Sequence, residues 1–441
     1  MINASGEKYR MAPFNTTLPS NSSLARAASL YFFQDGILIF NRTEIVSEYN
    51  ITIYLNKPFA PFLDLLCFEA SKILSPASTP AIRFIELYER PIGTGPFRFI
   101  SYTPGVEVRF ERWNNYWRTR AYIYSIVFAL ISSNTMRNNA MLNHQIDYIL
   151  GYSNSLINTF KSDPTIHVED FTDNTGKPEL SYYYLGMNNN LLNITWRKAI
   201  SYAINYSYII EIMQNNSVIR ANSPISPSFG EECNGSVDAV DYNLFKARQV
   251  LKDALIPGTE ELVVTNDTLG PDSDAWKNAD LLSLNYSYNR EDSFRSSLFL
   301  PLAFWLDQIG ITLVNDSMTT ALFLDILYEN PNRLGIFWSG ESPDYLDSFN
   351  LLNILFNPAS KGNFAQVNDT WLINQMDLAL YTTNDENRNL IYKNIQSYLA
   401  NDLYPHVFGY YKKLVFVHDA HLRGVAYNAI NKFTAYLIYR I

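Results

Sequence analysis

Extended and helical patterns alternate through the middle of the chain. Apolar residues run together over Tyr182–Met187, which predicts a buried strand. Over residues 195–213, apolar side chains recur at three- and four-residue steps, which is typical of an amphipathic helix. Strand, helix and strand patterns then follow at residues 281–288, 294–309 and 311–314. This order predicts βαβ units, so we expect an α/β fold with a mainly parallel sheet.

Further elements are predicted on both sides of this region. A β-hairpin is expected over residues 97–112, because Pro104-Gly105 is typical of a turn between two extended segments. Residues 334–338 predict a strand that opens into a polar loop at residues 339–347. The remaining predictions are strands within 36–55, 123–131 and 407–441, and helices at 135–143, 243–255, 370–380 and 386–403.

The chain is too long for one compact core. At 441 residues it is expected to form two or three domains of ~100–200 residues each. Hydrophobic residues make up 47% and charged residues 17% of the sequence, a balance typical of packed globular proteins. The net charge of −9 disfavours nucleic acid and anionic membranes as partners, since both attract a positive surface.

Two features bear on the cellular compartment. Thirteen Asn-x-Ser/Thr sequons favour an exported glycoprotein, because such sites receive glycans only outside the cytoplasm. The chain begins with polar residues and not with a signal peptide, so we expect a signal or membrane anchor outside it.

Cys67 and Cys233 are too few for a disulfide framework or a cysteine zinc site. Two buried free thiols are favoured over one disulfide bond.

Catalytic motifs are absent from the sequence, including the nucleophile elbow, the P-loop and the zinc-protease motif. His418 and His421 are neighbours, but residues three apart on a strand point to opposite faces, so a shared metal is not expected. Glu341, Asp344 and Asp347 fall in one predicted loop, as an acid/base pair would, but nothing supplies the rest of a hydrolase site. We therefore predict no enzyme activity, no cofactor and no metal site.

Four segments in sequence order carry a family resemblance. They include Gly-Thr-Gly-Pro at residues 93–96, followed by Asn-x-Tyr-Trp at residues 114–117. The four segments lie within residues 91–117, 185–205, 242–312 and 337–349. On these motifs the chain resembles the family 5 extracellular solute-binding proteins, the oligopeptide-, dipeptide- and nickel-binding class that serves ABC importers. The resemblance spans roughly residues 45–441 and lacks the family's opening segment.

The resemblance implies a type II periplasmic-binding-protein fold, with two α/β lobes, mixed sheets and crossing hinge segments. It implies a partial N-terminal subdomain in residues 1–90, lobe I in residues 91–206 and 411–441, and lobe II in residues 207–410. A ligand would be captured reversibly between the lobes by hinge closure. The implied partners are an ABC permease and its ATPase, and the implied location of this monomer is the cell surface or periplasm.

A ligand site is also implied by the resemblance. Asn188 or its neighbour would reach the ligand from one lobe. Trp338 would begin a loop of the other lobe and wall a pocket, while the backbone of residues 337–339 pairs with an extended ligand. Glu341, where peptide-binding relatives have Asp, would neutralise an amino terminus. The implied site residues are Asn188, Asn189, Phe337, Trp338, Ser339, Glu341 and Asp344.

Several ligands and roles fit these features. An oligopeptide is favoured, and an oligosaccharide is the alternative, because 31 Tyr and 27 Phe would suit stacking on sugar rings. Nickel is least favoured because no histidine lies in the matched ligand segments. A sensory or scaffold descendant that no longer transports, and a hydrolase using Glu341 and Asp344, are the further alternatives.

Overall fold

A computed structural model of the chain describes residues 30–33, 36–68, 71–72, 92–152, 156–426 and 433–441. The chain divides into two compact units, Met1–Thr175 with Leu414–Ile441, and Gly176–Lys413. Residues 176–206, expected in lobe I, belong to the second and larger unit, because they include a central strand of its sheet. The N-terminal subdomain expected in residues 1–90 lies partly outside the described residues.

Strands and helices alternate over much of the described chain. The strands are β1 Phe40–Ser47, β2 Asn50–Leu55, β3 Phe97–Thr103, β4 Glu107–Arg112, β5 Ser125–Ala129, β6 Tyr148–Ile149, β7 Ile166–Asp170, β8 Tyr182–Met187, β9 Val218–Arg220, β10 Leu282–Asn289, β11 Ile311–Met318, β12 Ile336–Glu341, β13 His406–Lys412, β14 Val415–Asp419, β15 Leu422–Arg423 and β16 Tyr439–Arg440. The α-helices are α1 Phe62–Cys67, α2 Asn134–Leu142, α3 Ile157–Ser162, α4 Phe171–Thr175, α5 Ile194–Ala203, α6 Leu244–Asp253, α7 Pro271–Asn278, α8 Ser293–Asp307, α9 Thr320–Glu329, α10 Ser348–Phe356, α11 Thr370–Tyr381 and α12 Asp385–Tyr398.

The larger unit is built around a six-stranded sheet in the order β11-β10-β12-β8-β13-β9. β10 runs parallel to β11 and β12, whereas the pairs β12–β8, β8–β13 and β13–β9 are antiparallel. The predicted βαβ unit of β10, α8 and β11 is therefore confirmed, but the prediction of a mainly parallel sheet is wrong. Side-chain periodicity marks a strand without indicating which strand lies beside it, so it gives no direction for β8 or β13.

One face of this sheet packs against helices. Buried apolar residues of α5, α6 and α8 form a continuous core with Leu185, Tyr286 and Trp338 of the strands. These three helices begin at side-chain caps, and in α5 the Asn193 Oδ1 atom accepts from the Trp196 amide at 3.1 Å. A cap of this kind stabilises a helix by about 1 kcal/mol. Capping and burial together fix the helices on the sheet.

The helix predicted over residues 195–213 consists of two segments in the structure. α5 ends at Ala203, and Ile204 has extended backbone with φ −79° and ψ 127°. The Asn205 side chain then accepts from the Tyr208 amide at 3.0 Å, ahead of the π-helical segment Tyr208–Met213. Asparagine side chains compete for backbone amides in this way, which explains the interruption of a continuous apolar pattern.

The smaller unit contains several small antiparallel sheets. β1 pairs with β2, β4 lies between β3 and β5, β14 lies between β6 and β7, and β15 pairs with β16. The predicted hairpin of β3 and β4 is confirmed, and Gly105 at its turn has a φ of 72°, a conformation that favours glycine. Buried Ile149, Ile166 and Val417 of the β6–β14–β7 sheet form a second core with residues of α2 and α3.

The cysteines differ from expectation. Cys67 and Cys233 are both free thiols, but Cys67 is exposed because the short helix α1 buries only Leu65. The prediction of two buried thiols is therefore wrong for Cys67. Burial raises the pKa of the half-buried Cys233 thiol to about 11.

No helix in the described parts of the chain is long and apolar enough to cross a membrane.

Candidate functional site

Strand β12 has one paired side and one open side. Along its full length it pairs with β8, from Ile336 opposite Met187 to Glu341 opposite Tyr182. On the other side it pairs with β10 only where Ile336 lies opposite Tyr286. β10 itself continues beside β11. Beyond Ile336, therefore, β12 has no described strand on its second side.

The hydrogen-bond alternation of an antiparallel pair identifies the open groups. The Asn188 amide donates to the Gly335 carbonyl at 3.0 Å, so residue 335 and every second residue after it bond to β8. The backbone N–H and C=O groups of Trp338 and Gly340 then point away from β8. We call these four groups the open edge of β12. Trp338 is only 3% exposed, and among the described strands none pairs with these four groups.

The side chain of Trp338 lies in the core of the larger unit. Its ring packs against Phe294 at a centroid distance of 5.2 Å and against Tyr410 at 5.5 Å. The prediction that Trp338 begins a loop is wrong, because β12 continues through Glu341. The alternation within residues 334–338 extends three residues further, into Ser-Gly-Glu, which carry no apolar signal. A ligand contact by the indole ring stays a prediction.

Phe337 lies on the opposite face of the sheet and is fully buried. It covers Gly186 on β8, where an added Cβ atom would lie 2.3 Å from Phe337 Cζ. Next to it, His406 stacks on Tyr184 with ring centroids 4.0 Å apart, and burial lowers the pKa of His406 to about 3. Gly186, part of the matched Leu-Gly-Met-Asn segment, is therefore required by the packing of β8 on β12. Phe337 therefore packs β12 against β8 on the face of the sheet opposite Trp338.

Ser339 and Glu341 share this face of β12 with Phe337. Ser339 is 5% exposed and lies opposite Tyr184 of β8. Glu341 ends the strand half-buried, and its Oε1 atom accepts from the Ser342 amide at 3.1 Å. The pKa of Tyr184 is raised, mainly by burial and secondly by the negative charge of Glu341. Glu341 thus brings a negative charge to the end of β12.

Asn188 and Asn189 connect the end of β8 to neighbouring loops. Asn188 Nδ2 donates to the Leu334 carbonyl at 2.7 Å, and Asn188 Oδ1 accepts from the Asn190 amide at 3.0 Å. Asn189 Nδ2 donates to the carbonyls of Met187 and Ala365 at 2.7 and 3.0 Å. Both side-chain amides therefore tie the end of β8 to loops that are distant in sequence. Their contact with a ligand stays a prediction.

A small depression lies beside Asn189. Its volume of about 120 Å³ is below the roughly 300–1,000 Å³ of typical small-molecule pockets. Arg197 on its wall donates to the carbonyls of Leu192 and Leu403 at 2.6 and 2.8 Å. Burial lowers the pKa of Arg197 to about 10. We assign this depression a structural role.

Asp344 and Asp347 follow β12 in the chain, and the pairing of Glu341 with Asp344 that the hydrolase alternative supposes stays a prediction. The Asp344 amide donates to Asn350 Oδ1 at 2.7 Å. Asp347 is fully buried and caps α10, where its Oδ1 atom accepts from the Phe349 amide at 2.8 Å and from Tyr392 Oη at 2.7 Å. Asp347 is therefore part of the core. Its position before a helix, typical of an N-cap, was the sequence signal for this role.

A carboxylate that sequence reasoning missed lies next to Asp347. Glu232 Oε2 accepts from the Ser348 amide at 2.7 Å, and Arg388 Nε lies 3.6 Å from Asp347 Oδ2. The pKa of Glu232 is raised to about 7, mainly by burial and secondly by the negative charge of Asp347. The two acids are far apart in sequence, so no local motif indicated their proximity.

Comparison with known proteins identifies the family. The model of the bacterial extracellular solute-binding proteins, family 5 Middle, matches residues 10–363. The chain belongs to this family. The predicted family is therefore confirmed, and with it the mixed α/β periplasmic-binding-protein fold. Family membership and the open edge of β12 together make the larger sheet the candidate ligand site.

Individual relatives are distant. The chain is 25% identical over 373 residues to heme-binding protein A of Haemophilus influenzae, covering 82% of this chain and 63% of that protein. It is 26% identical over 224 residues to the dipeptide-binding protein of Escherichia coli, covering 49% and 40%. The chain thus spans less than two thirds of the length of these relatives.

A solved structure shows the same fold. The putative peptide binding protein AppA from Clostridium difficile superposes with a TM-score of 0.76 at 19% identity, covering 94% of this chain and 81% of that one. At this identity the similarity concerns the fold alone.

Proposed function

We propose that this chain is the solute-capturing component of an ABC importer and that it binds oligopeptides outside the cytoplasm. The observation that carries the proposal is the open edge of β12, because Trp338 and Gly340 offer two N–H donors and two C=O acceptors in strand geometry. An extended peptide main chain is the ligand that matches such an edge. Capture is reversible, and no bond is made or broken.

Peptide is favoured over oligosaccharide by the position of the aromatic rings. Tyr182 and Tyr184 stack on each other at 5.1 Å, and both rings are buried in the sheet packing. They are therefore not available for stacking on sugar rings. The names of the dipeptide-binding relative and of the AppA structure also support a peptide. The partners proposed are the permease and ATPase of the same importer.

Selective methylation of a peptide ligand tests the backbone pairing. The ligand is first identified by native mass spectrometry of the protein as purified. Each peptide N–H is then methylated in turn, and binding is measured by calorimetry. Because one hydrogen bond contributes about 1–1.5 kcal/mol, we expect roughly tenfold weaker binding at alternate positions. The intervening positions, whose N–H groups point away from β12, are the matched controls. Equal losses at all positions, or co-purified heme or sugar in place of peptide, would overturn the proposal.

Glu341 supplies the proposed contact with the peptide amino terminus. Its charge at the end of β12 is matched by a free ammonium group and not by an acetylated one. We expect N-acetylation of the peptide and Glu341→Gln each to weaken binding about three- to tenfold. Together they should do no more than either alone, because both remove the same ion pair. Glu211→Gln, at an exposed position of the same unit, is the control, and additive losses would exclude the contact.

A further inference from the structure

The β6–β14–β7 sheet of the smaller unit brings together three side chains of metal-binding type. His167 and Glu169 are two residues apart on β7, so they share a face. His418 on β14 lies directly opposite His167. The potential ligand atoms of His167, Glu169 and His418 all lie within 4.8 Å of one another. The expectation that His418 has no metal partner considered only His421, which lies beyond the strand.

His418 is oriented by a hydrogen bond on one side of its ring. The side chain is buried, with an exposure of 2%. Its Nδ1 atom lies 2.8 Å from the Asp419 carbonyl oxygen. A carbonyl can only accept a hydrogen bond, so Nδ1 carries the hydrogen, and in the neutral ring the lone pair is on Nε2. Nε2 is buried and has no hydrogen-bond partner among the described atoms. Metal-binding histidines have this arrangement, in which a carbonyl fixes the tautomer and the second nitrogen faces the ion.

The His167, Glu169 and His418 cluster lies beside Tyr148 and reaches the surface at His167. Tyr148 on β6 lies opposite His418, and the two rings are parallel within 1° at a centroid distance of 6.3 Å. On the other face, Val417 packs in the core of the smaller unit. His167 is exposed and Glu169 is half-buried, so an ion can reach the cluster from solvent.

We propose that His167, Glu169 and His418 bind one divalent cation of the zinc class. Two imidazole nitrogens and one carboxylate oxygen are a donor set that zinc accepts, whereas calcium and magnesium prefer oxygen ligands. In a tetrahedral zinc site neighbouring ligand atoms lie about 3.3 Å apart. Small side-chain rotations would therefore bring the three ligand atoms from their present separations, all within 4.8 Å, to the distances of a zinc site. Three protein ligands leave the fourth position to water or to a donor atom of a second molecule.

Zinc titration of the untagged full chain tests this site. After chelator treatment, calorimetry with zinc chloride should show one ion per chain, with cobalt substitution giving the visible spectrum of a tetrahedral site. His167→Asn and Glu169→Gln should each weaken zinc binding at least about tenfold. His167 is exposed, so this variant should fold, and circular dichroism checks that it does. His421→Asn and His144→Asn are matched controls that should bind as the unmodified chain does.

Three results would overturn the metal site. They are the absence of stoichiometric zinc binding, full affinity in the His167→Asn variant, and an equal loss in the His421→Asn control. Zinc binding is measured without peptide, so failure of this site and failure of the proposed peptide capture are distinguishable.

Discussion

Two buried histidines on strands, His406 and His418, have opposite surroundings. Both are 2% exposed. In the larger unit, both ring nitrogens of His406 are without a hydrogen-bond partner among the described atoms, and its ring stacks on Tyr184. In the smaller unit, Nδ1 of His418 bonds to a carbonyl, and the side chain belongs to a cluster with His167 and Glu169. Burial alone therefore does not distinguish a packing histidine from a ligand; the neighbouring donors do.

The packing around His406 should be intolerant of added volume, which gives the largest expected effect. In Gly186→Ala the new methyl group would meet the Phe337 ring at 2.3 Å. We expect the free energy of unfolding to fall by about 2–3 kcal/mol, measured by urea denaturation. Gly235→Ala, where nothing lies within 4 Å of the added Cβ, should change stability by less than about 1 kcal/mol. A Gly186→Ala variant as stable as this control would mean that Phe337 is loosely packed on β8.

Buried charge in the larger unit should make its stability depend on pH. The pKa of Glu232 is raised from 4.5 to about 7 by burial and by Asp347. The folded state therefore binds the proton more tightly than the unfolded state, and stability falls as pH rises from 4.5 to 7. Glu232→Gln should remove about 1–2 kcal/mol of this decline, measured by urea denaturation across the window.

The exposed neighbour Glu231 provides the control for this prediction. Its side chain is 89% exposed, so Glu231→Gln should leave the pH profile of stability unchanged. If Glu232→Gln keeps the full decline between pH 4.5 and 7, Glu232 is not the group responsible.

Replacement of His406 by an apolar residue gives the smallest expected effect. Since neither ring nitrogen has a hydrogen-bond partner within the described parts of the chain, His406→Leu removes no hydrogen bond seen there, and we expect a change in stability of less than about 1 kcal/mol. Zinc affinity should stay unchanged, whereas His418→Leu should abolish it. Calorimetry on both variants checks this. Zinc binding that is lost with His406 and kept without His418 would reverse the assignment of the two histidines.

The sequence predicted individual strands and turns better than it predicted which distant segments lie side by side. The limits of β8 were predicted from a run of apolar residues bounded by polar ones, and the hairpin of β3 and β4 from its Pro-Gly turn. Strand neighbours were not predictable, because the pairing of β12 with β8 joins distant segments and leaves no local periodicity. The approach of His167 to His418 and of Glu232 to Asp347 was missed for the same reason. The strand of Trp338 is longer than the sequence predicts, because the polar residues after Trp338 hide its continuation to Glu341.

Residue-level amide hydrogen exchange, with and without a bound peptide, tests the central claim most directly. If a peptide main chain pairs with the open edge of β12, exchange at the amides of Trp338 and Gly340 slows when peptide is added. Exchange at Phe337 and Ser339, whose amides already bond to β8, changes less. Peptide binding that leaves the amides of Trp338 and Gly340 unchanged would contradict the account.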